Sequence, residues 1–204
     1  MSSRVLPIAI GALVLGAVAA ATYVVFAAST NFVVRETGLS RFAKGELEKL
    51  IVLDEAPAQP QTVFVDEAGG EHRLADRQGK VTLVNIWATW CGPCVHELPS
   101  LDRLEGVRGS DRFEVIAISV DRDIAEARTW YDQNGIAHLP LYQENTLGLA
   151  TQLGSRGVPI TVLYSADGRE LARLANGAEW DSPDALELID AVLAAEFAGQ
   201  GETS

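Results

Sequence analysis

The chain has little cysteine, little histidine and few basic residues, and each shortage argues against a class of function. Its 204 residues include two Cys and three His, and 16 Lys and Arg stand against 28 Asp and Glu, for a formal net charge of −12. Such an acidic chain is a poor partner for nucleic acid, whose phosphates are also negative. A Ser-His-Asp order, a phosphate-cradling glycine loop and a basic aromatic patch are absent, so the enzyme classes built on them have no support.

Both cysteines lie in one run, Trp90-Cys91-Gly92-Pro93-Cys94, directly after an apolar stretch typical of a buried strand. A Cys-x-x-Cys pair that opens a helix brings its sulfurs close enough to bond, and the helix N-terminus stabilises a thiolate on the first. The pattern therefore predicts thiol–disulfide exchange. Cys91 is the predicted exposed nucleophile, and Cys94 is predicted to resolve the mixed disulfide.

Metal binding is the main alternative for the two cysteines. Cys-x-x-Cys supplies half of a zinc site and a soft pair for Cu(I). A second pair is missing, and His96 comes one position too late for haem attachment and is turned away from Cys94 by the helix phase. His72 and His138 are predicted to be surface residues. We expect no metal, although Cu(I) binding by the two thiols stays open.

Two further residues near the motif are candidates for the site. Glu97 follows Cys94 by three positions, on the same helical face, where a base would help the second thiol to lose its proton. The alternative is a solvated carboxylate that merely favours the helix N-terminus. Trp90 is predicted to shield the disulfide and contact partners, whereas Trp87 is predicted to lie in the core, because alternate strand residues face opposite ways.

Residues 5–28 form an uncharged apolar run of 24 residues, long enough to cross a hydrocarbon core of roughly 30 Å. A cleaved signal peptide is the alternative, but signal h-regions are shorter, about 7 to 15 residues. We expect an uncleaved single-pass anchor. Flanking charges do not orient it, so the location follows from chemistry: a tethered dithiol suits an oxidising space, which predicts a bacterial inner-membrane protein with its catalytic domain in the periplasm.

The rest of the sequence predicts an α/β fold with a central mixed sheet flanked by helices. We expect four segments: the anchor at 1–30, a juxtamembrane segment and linker at 31–57, a folded domain at 58–198 and a flexible tail at 199–204. Within 32–53 the pattern predicts a short amphipathic helix. The predicted elements are a hairpin within 62–74, strands at 81–87, 113–120, 139–142, 160–164 and 170–175, and helices at 91–108, 123–134, around 145–153 and 183–197. In the helix at 91–108 an apolar residue recurs every three positions and predicts a buried stripe of Leu98, Leu101, Leu104 and Val107.

From about residue 58 to 198 this order resembles the thioredoxin superfamily. The anchor and the runs Asn85-Ile86-Trp87-Ala88-Thr89-Trp90-Cys91, Gly157-Val158-Pro159 and Ala178-Glu179-Trp180 are similar to TlpA-type tethered periplasmic thioredoxins. The chain is similar also to the cytochrome c maturation thioredoxins of the ResA and CcmG type. Asn85 departs from cytosolic thioredoxin, which has a buried Asp six residues before the first Cys, so proton handling must differ.

The resemblance implies a thioredoxin-like fold and further site residues. It implies a cis bond at Val158-Pro159, with the proline against the dithiol and Val158 offering backbone hydrogen bonds to substrate. Gly92 and Pro93, with Trp90, complete the predicted substrate-binding surface. In ResA-like proteins a Glu at the offset of Glu97 is associated with thiol proton handling. No cofactor is expected beyond the Cys91–Cys94 disulfide.

The implied function is a membrane-anchored protein disulfide reductase. The Gly-Pro dipeptide between the cysteines is that of thioredoxin, whose potential of about −270 mV is far more reducing than the roughly −120 mV of the oxidant DsbA. The resemblance implies copper-delivery proteins of cytochrome oxidase assembly as substrates, with apocytochrome c thiols as the second candidate. It implies a DsbD- or CcdA-type membrane electron donor, and we expect a monomer. The alternative from another class is a Cu(I)-binding assembly factor without reductase activity.

Overall fold

The computed structural model describes residues 38–198. The chain divides into two compact units, 1–39 and 40–204, and every element below belongs to the second. The predicted anchor at 5–28 and the tail at 199–204 lie outside the described residues. Within 38–198, none of the helices combines the length and apolar character that a membrane span requires.

One mixed sheet of eight strands, together with four α-helices, makes up the described part of the second unit. The strands are β1 (Ile51–Val52), β2 (Phe64–Asp66), β3 (Glu71–His72), β4 (Val81–Trp87), β5 (Phe113–Ser119), β6 (Leu141–Gln143), β7 (Ile160–Tyr164) and β8 (Glu170–Leu174). The helices are α1 (Gly92–Arg108), α2 (Ile124–Asn134), α3 (Gly148–Gln152) and α4 (Pro183–Glu196), with short 3-10 helices at Ser40–Phe42, Gly45–Leu47 and Leu74–Arg77. The predicted α/β order with a central mixed sheet is confirmed.

The strand order is β1-β8-β7-β4-β5-β6-β2-β3. β4 runs parallel to β5, and β5 runs parallel to β6, while the other neighbours are antiparallel. All seven residues of β4 are buried, as expected of an apolar strand at the centre of a covered sheet. The parallel strands end at one edge of the sheet, and the cysteine motif follows β4 at that edge.

Helix boundaries follow from capping chemistry already present in the sequence. The Asp123 side chain accepts a hydrogen bond from the Ala125 amide over 2.9 Å at the start of α2, and Ser182 accepts one from Ala185 over 3.3 Å at the start of α4. Gly135 ends α2 in the left-handed region, at φ 67°. These ends lie within a residue of the predicted ones.

The prediction of one amphipathic helix reaching residue 53 was wrong for the described part of that segment. Two 3-10 helices and β1 form instead. Gly45, the first residue of the second 3-10 helix, has φ 53°, a left-handed conformation that interrupts an α-helix. A side chain at Gly45 would also collide with the Asp184 carboxylate of α4. Phe42 and Leu47 are buried, and β1 pairs with β8, so this stretch completes the sheet and the core.

Helix α1 packs Leu98, Leu101 and Leu104 into the core, as predicted. Val107, the fourth member of the same three-residue repeat, is instead exposed. A spacing of three falls short of the 3.6-residue turn, so nine residues amount to about 2.5 turns and the last member reaches the opposite face. The predicted apolar stripe therefore ends one step early.

Candidate active site: the Cys91–Cys94 disulfide

Cys91 and Cys94 form a disulfide at the start of α1, with their Cα atoms 5.2 Å apart. Cys91 is the N-cap residue, and its Sγ accepts a hydrogen bond from the Cys94 amide over 3.3 Å. Gly92 and Pro93 form the exposed first turn, where proline is favoured because it lacks an amide hydrogen. After reduction, the same amide and the positive end of the helix dipole would favour a thiolate at Cys91.

The two sulfurs differ less in exposure than the sequence predicts. Cys94 is fully buried, but the Cys91 residue is also only 6% exposed, so the prediction of an exposed Cys91 was wrong for this oxidised state. The reason is local packing: the Cys91 sulfur is bonded inward to Cys94, and the Val158 carbonyl oxygen lies 3.5 Å from it. A partner has to approach Cys91 beside the Val158 loop.

The predicted cis bond between Val158 and Pro159 is confirmed. Pro159 is buried, and it directly precedes β7, whose first residue, Ile160, pairs with Ile86 of β4. The strand that delivers Cys91 and the strand that delivers the cis-proline are therefore direct neighbours. Their pairing fixes the Val158 carbonyl beside the disulfide.

The two tryptophans around the motif occupy different environments. Trp90 is 67% exposed, directly before the first cysteine, whereas Trp87 is fully buried and stacks on Tyr131 with ring centroids 5.6 Å apart. The core position predicted for Trp87 is confirmed. Trp90 presents its ring to solvent beside Cys91, in a position where it can contact a partner.

Glu97 lies one helical turn beyond Cys94 and is only 2% exposed, so the alternative of a solvated carboxylate is wrong. One carboxyl oxygen accepts a hydrogen bond from the Asn85 side-chain amide over 2.8 Å. The other accepts from the Ala178 amide over 3.1 Å and from the Trp180 indole over 3.2 Å. Three neutral donors, one on β4 and two in the loop before α4, hold this carboxyl, and no cation does so among the described residues.

Burial raises the pKa of the Glu97 carboxyl from 4.5 to about 7, and the hydrogen bonds from Asn85, Ala178 and Trp180 only partly oppose that rise. The negative charge of Glu179 adds a smaller contribution in the same direction. A carboxyl with a pKa near 7 can both take up and release a proton at neutral pH. This group lies on the same helix as the buried sulfur of Cys94.

Asn85 extends the network across the sheet. Its side-chain amide also donates to the Thr161 hydroxyl over 2.9 Å, which joins β4 to the strand that follows the cis-proline. Sequence analysis assigned no contact to Thr161, Ala178 or Trp180. The only signals were the unusual Asn85 and the run Ala178-Glu179-Trp180, which supported the resemblance without a stated role.

A polar cleft of ≈ 570 Å³ opens beside the first turn of α1. Its lining includes Pro93 and Glu97 from α1, Gly177 from the loop before α4, and Glu46 from the 3-10 helix Gly45–Leu47. A Cβ at Gly177 would lie 3.1 Å from the Pro93 carbonyl oxygen, so a side chain there would require this backbone to shift by a few tenths of an ångström. Glu97 thus borders the cleft although it is almost fully buried.

The histidines lie away from the sulfurs. The His96 side chain is 82% exposed, 3.7 Å from a Glu179 oxygen, and His138 is also exposed. His72, predicted to be a surface residue, is instead half-buried, because Tyr142 packs edge-on against its ring and Asp66 holds its Nε2 at 2.9 Å. Across residues 38–198 there is no cluster of three or more His, Cys, Asp or Glu side chains arranged to hold a metal ion.

A mixed sheet whose central strand leads into a Cys-x-x-Cys helix, with the carbonyl of a cis Val158-Pro159 bond beside the first sulfur, defines a thioredoxin-fold dithiol protein. A family model described as Redoxin matches residues 53–184. The chain belongs to the Redoxin family, and within the thioredoxin superfamily it is a TlpA/ResA/CcmG-like member.

Relatives of the chain are named as thiol-disulfide oxidoreductases or thiol:disulfide interchange proteins. The chain is 28% identical to the thiol-disulfide oxidoreductase ResA of Geobacillus thermodenitrificans over 54% of this chain and 63% of that one. It is 32% identical to the thiol:disulfide interchange protein HelX of Rhodobacter capsulatus over 59% and 66%. The chain thus spans less than two thirds of these relatives' length. A thioredoxin-family thiol:disulfide interchange protein from Chlorobium tepidum TLS, solved by crystallography, shares the fold at a TM-score of 0.55 and 22% identity, over 68% of this chain and 97% of that one.

Proposed function

We propose that this protein is a protein disulfide reductase that works by thiol–disulfide interchange at Cys91 and Cys94. The observation that carries the proposal is the disulfide at the N-terminus of α1, with a buried carboxyl of pKa about 7 one turn beyond it. The names of the relatives ResA and HelX support the same class of reaction. The redox-active disulfide is the only redox group the reaction needs.

The reaction begins with the reduced dithiol. The Cys91 thiolate attacks one sulfur of a substrate disulfide, a Cys91–substrate bond forms, and the substrate's other sulfur leaves as a thiolate. Cys94 then loses its proton and attacks the Cys91 sulfur, which releases the second substrate thiolate and closes the disulfide seen in the structure. Two electrons pass to the substrate, whose thiolates take up protons.

Glu97 is the proposed base for the second step. Cys94 is fully buried and must lose a proton without direct access to water. In its ionised form, the Glu97 carboxyl can accept that proton and later release it through the cleft that it lines. A pKa of about 7 suits both directions of transfer at neutral pH.

Substrate contact is proposed for the surface around Cys91. Trp90 offers an exposed ring, the exposed Gly92 and Pro93 lie next to the sulfur, and the Val158 backbone at the cis-proline can pair with an extended substrate segment. Such a site recognises the backbone near a disulfide and so suits protein substrates.

The cellular role is proposed from the sequence resemblance. The apolar run at 5–28 would anchor the protein in the bacterial inner membrane, with the dithiol in the periplasm. A DsbD- or CcdA-type membrane carrier would restore the dithiol after each turnover, and the working protein would be a monomer. The proposed substrates are disulfides in copper-delivery proteins of cytochrome oxidase assembly, followed by apocytochrome c.

The deciding experiment is a trap. We expect Cys94→Ser, expressed in the native membrane, to accumulate mixed disulfides on Cys91 that mass spectrometry can identify, because no thiol is left to resolve them. The control is the double variant Cys91→Ser/Cys94→Ser. Copper-delivery adducts would support the first role, and apocytochrome c adducts would move the protein to cytochrome maturation. No adducts, together with stoichiometric Cu(I) binding by the wild type, would replace the reductase with a metal-binding assembly factor.

The role of Glu97 has its own test. Glu97→Gln should slow the resolving step by about 100-fold at pH 7, because Cys94 loses its base, while the attack by Cys91 keeps its rate. Stopped-flow kinetics on a fluorescent peptide disulfide separate the two steps. Glu46→Gln is the matched control, since Glu46 lines the same cleft, is exposed and does not contribute to the raised pKa of Glu97. An unchanged pH profile for resolution in Glu97→Gln would remove Glu97 from the mechanism.

A further inference from the structure

A second buried carboxylate lies at the same edge of the sheet, directly after β5. Asp121 is 1% exposed, and its oxygens accept hydrogen bonds from the Thr89 amide over 3.0 Å and from the Thr89 hydroxyl over 2.9 Å. The Ser119 hydroxyl donates to the same carboxylate over 2.8 Å. Every one of these partners is a donor, so the carboxylate acts as an acceptor at both oxygens.

Asp121 has no charged partner in the part of the chain that the structure describes. None of the ion pairs formed within residues 38–198 includes it. Burying a carboxylate is costly unless hydrogen bonds replace its water, and here the Thr89 and Ser119 donors take that place. Two of the three donor groups belong to Thr89, so the carboxylate mainly holds that residue in place.

Thr89 lies in the short loop that joins β4 to α1, two residues before Cys91. The loop is also closed by the Cys91 amide, which donates to the Ala88 carbonyl over 3.2 Å. Asp121 is held in turn by Gln143 of β6, whose side chain donates to the Asp121 carbonyl over 2.9 Å. A continuous set of hydrogen bonds thus runs from β6 through Asp121 to the residues that place the first sulfur.

We propose that Asp121 is a positioning residue for Cys91 and acts through Thr89. By fixing the loop, it keeps the Cys91 sulfur where the Cys94 amide, 3.3 Å away in the oxidised state, can stabilise the thiolate after reduction. The inference rests on the proposed role of Cys91 as the attacking thiol. It adds a residue from the end of β5 that touches neither sulfur.

The test measures the reactivity of Cys91 directly in the reduced full chain. Iodoacetamide alkylation is followed from pH 5 to 10, with the Cys91 adduct resolved by peptide mass spectrometry. Asp121→Asn and Thr89→Val should each slow alkylation at pH 7 by about fivefold, the factor for the loss of one net hydrogen bond, and move the profile to higher pH. The double variant should be no slower than the slower single variant, because both changes break the same contact.

Glu144→Gln is the matched control. Glu144 is another buried carboxylate that follows a strand at this edge. Its side chain accepts hydrogen bonds from the Thr146 and Leu149 amides, over 2.8 and 3.0 Å, and makes none to the loop that joins β4 to α1. Its alkylation profile should match the wild type.

Three results would overturn the inference. The first is a wild-type profile in both Asp121→Asn and Thr89→Val, and the second is an equal shift in Glu144→Gln. The third is faster alkylation in Asp121→Asn alone, which would indicate a charge effect without positioning. Alkylation requires no substrate, so a failure here is distinguishable from a failure of the reductase proposal.

Discussion

The Asn85 side chain donates its hydrogen bond to the Glu97 carboxyl over 2.8 Å, and both groups are almost wholly buried. Cytosolic thioredoxin is expected to have a carboxylate in place of Asn85. In this protein that strand position carries a neutral amide, and the buried carboxyl comes from Glu97 on α1. Asn85 stays neutral and orients, while Glu97 titrates. The arrangement puts one ionisable group, not two, in the buried network one helical turn beyond Cys94.

The first prediction concerns the neutrality of that strand position. Asn85→Asp would place a second carboxylate against Glu97, and two like charges in a buried site cannot both ionise without a large cost. We expect the variant to lose about 3 kcal/mol of unfolding free energy at pH 8 and distinctly less at pH 5, where the pair binds protons. Urea titrations at the two pH values measure the difference.

The double variant Asn85→Asp/Glu97→Gln serves as the control for that prediction. It removes the repulsion and should recover most of the stability lost at pH 8. Equal losses at pH 5 and pH 8 in the single variant would mean that packing, and not charge, sets the cost.

The second prediction follows from the raised pKa of Glu97. Between its ordinary value of 4.5 and about 7, the folded state holds a proton that the unfolded state releases. The stabilisation is therefore complete below about pH 4.5 and is lost as the pH rises through about 7. Relative to Glu97→Gln, the oxidised wild type should lose about 3 kcal/mol over that interval.

Chemical denaturation of both proteins from pH 4 to pH 8 provides the measurement. The absolute stability of Glu97→Gln can differ, since the glutamine side chain cannot accept from all three donors at once. The informative quantity is the change with pH of the difference between the two proteins. A flat difference across that range would show that Glu97 titrates at its ordinary value.

Sequence reasoning found the parts of the site that are local and missed those that are distant. The Cys-x-x-Cys pair, the cap at Cys91 and the helical offset of Glu97 follow from neighbours within a few residues. The burial of Glu97 does not, because its carboxyl is enclosed by Ala178 and Trp180, about 80 residues later. A carboxylate near a helix N-terminus is usually solvated, and only the tertiary contact overrides that expectation.

The fold shows the same division. The apolar composition of β4 predicts its central position correctly, and the ends of α2 and α4 are predicted to within a residue, whereas the short α3 begins three residues later than predicted. The segment before β1 was misjudged because its mixed charge pattern suits a helix, whereas Gly45 takes a left-handed conformation that allows the Asp184 side chain to approach. No local sequence pattern predicts such a contact between distant residues.

The third prediction separates the two tryptophans of the active-site run. Trp90→Ala should reduce the rate of protein disulfide reduction by about tenfold, because an exposed aromatic contact is lost, and should change stability by less than about 0.5 kcal/mol. Trp87→Ala should cost about 3 to 5 kcal/mol, because it empties a fully buried site. Parallel turnover assays and urea titrations give both numbers.

Val107→Ala is the matched control for Trp90→Ala, since Val107 is exposed to a similar degree, 59% against 67%, but lies at the far end of α1. Its turnover should equal that of the wild type. A small linear disulfide such as bis(2-hydroxyethyl) disulfide should be reduced equally by Trp90→Ala and the wild type, because it has no backbone for the ring to contact. Equal losses on both substrates would assign Trp90 to the chemistry of Cys91.

The last prediction concerns residues 40–52, which precede the stretch matched by the Redoxin model. Leu47 is fully buried in the 3-10 helix Gly45–Leu47, which packs against α4, and Lys44 pairs there with Glu187 over 3.1 Å. Leu47→Ala should therefore cost about 2 to 5 kcal/mol of unfolding free energy, the range for emptying a buried leucine site. Glu46→Ala, on the exposed side of the same turn, should cost less than about 0.5 kcal/mol. Urea titration of both variants checks this, and a Leu47→Ala cost as small as that of Glu46→Ala would place the segment outside the cooperative core.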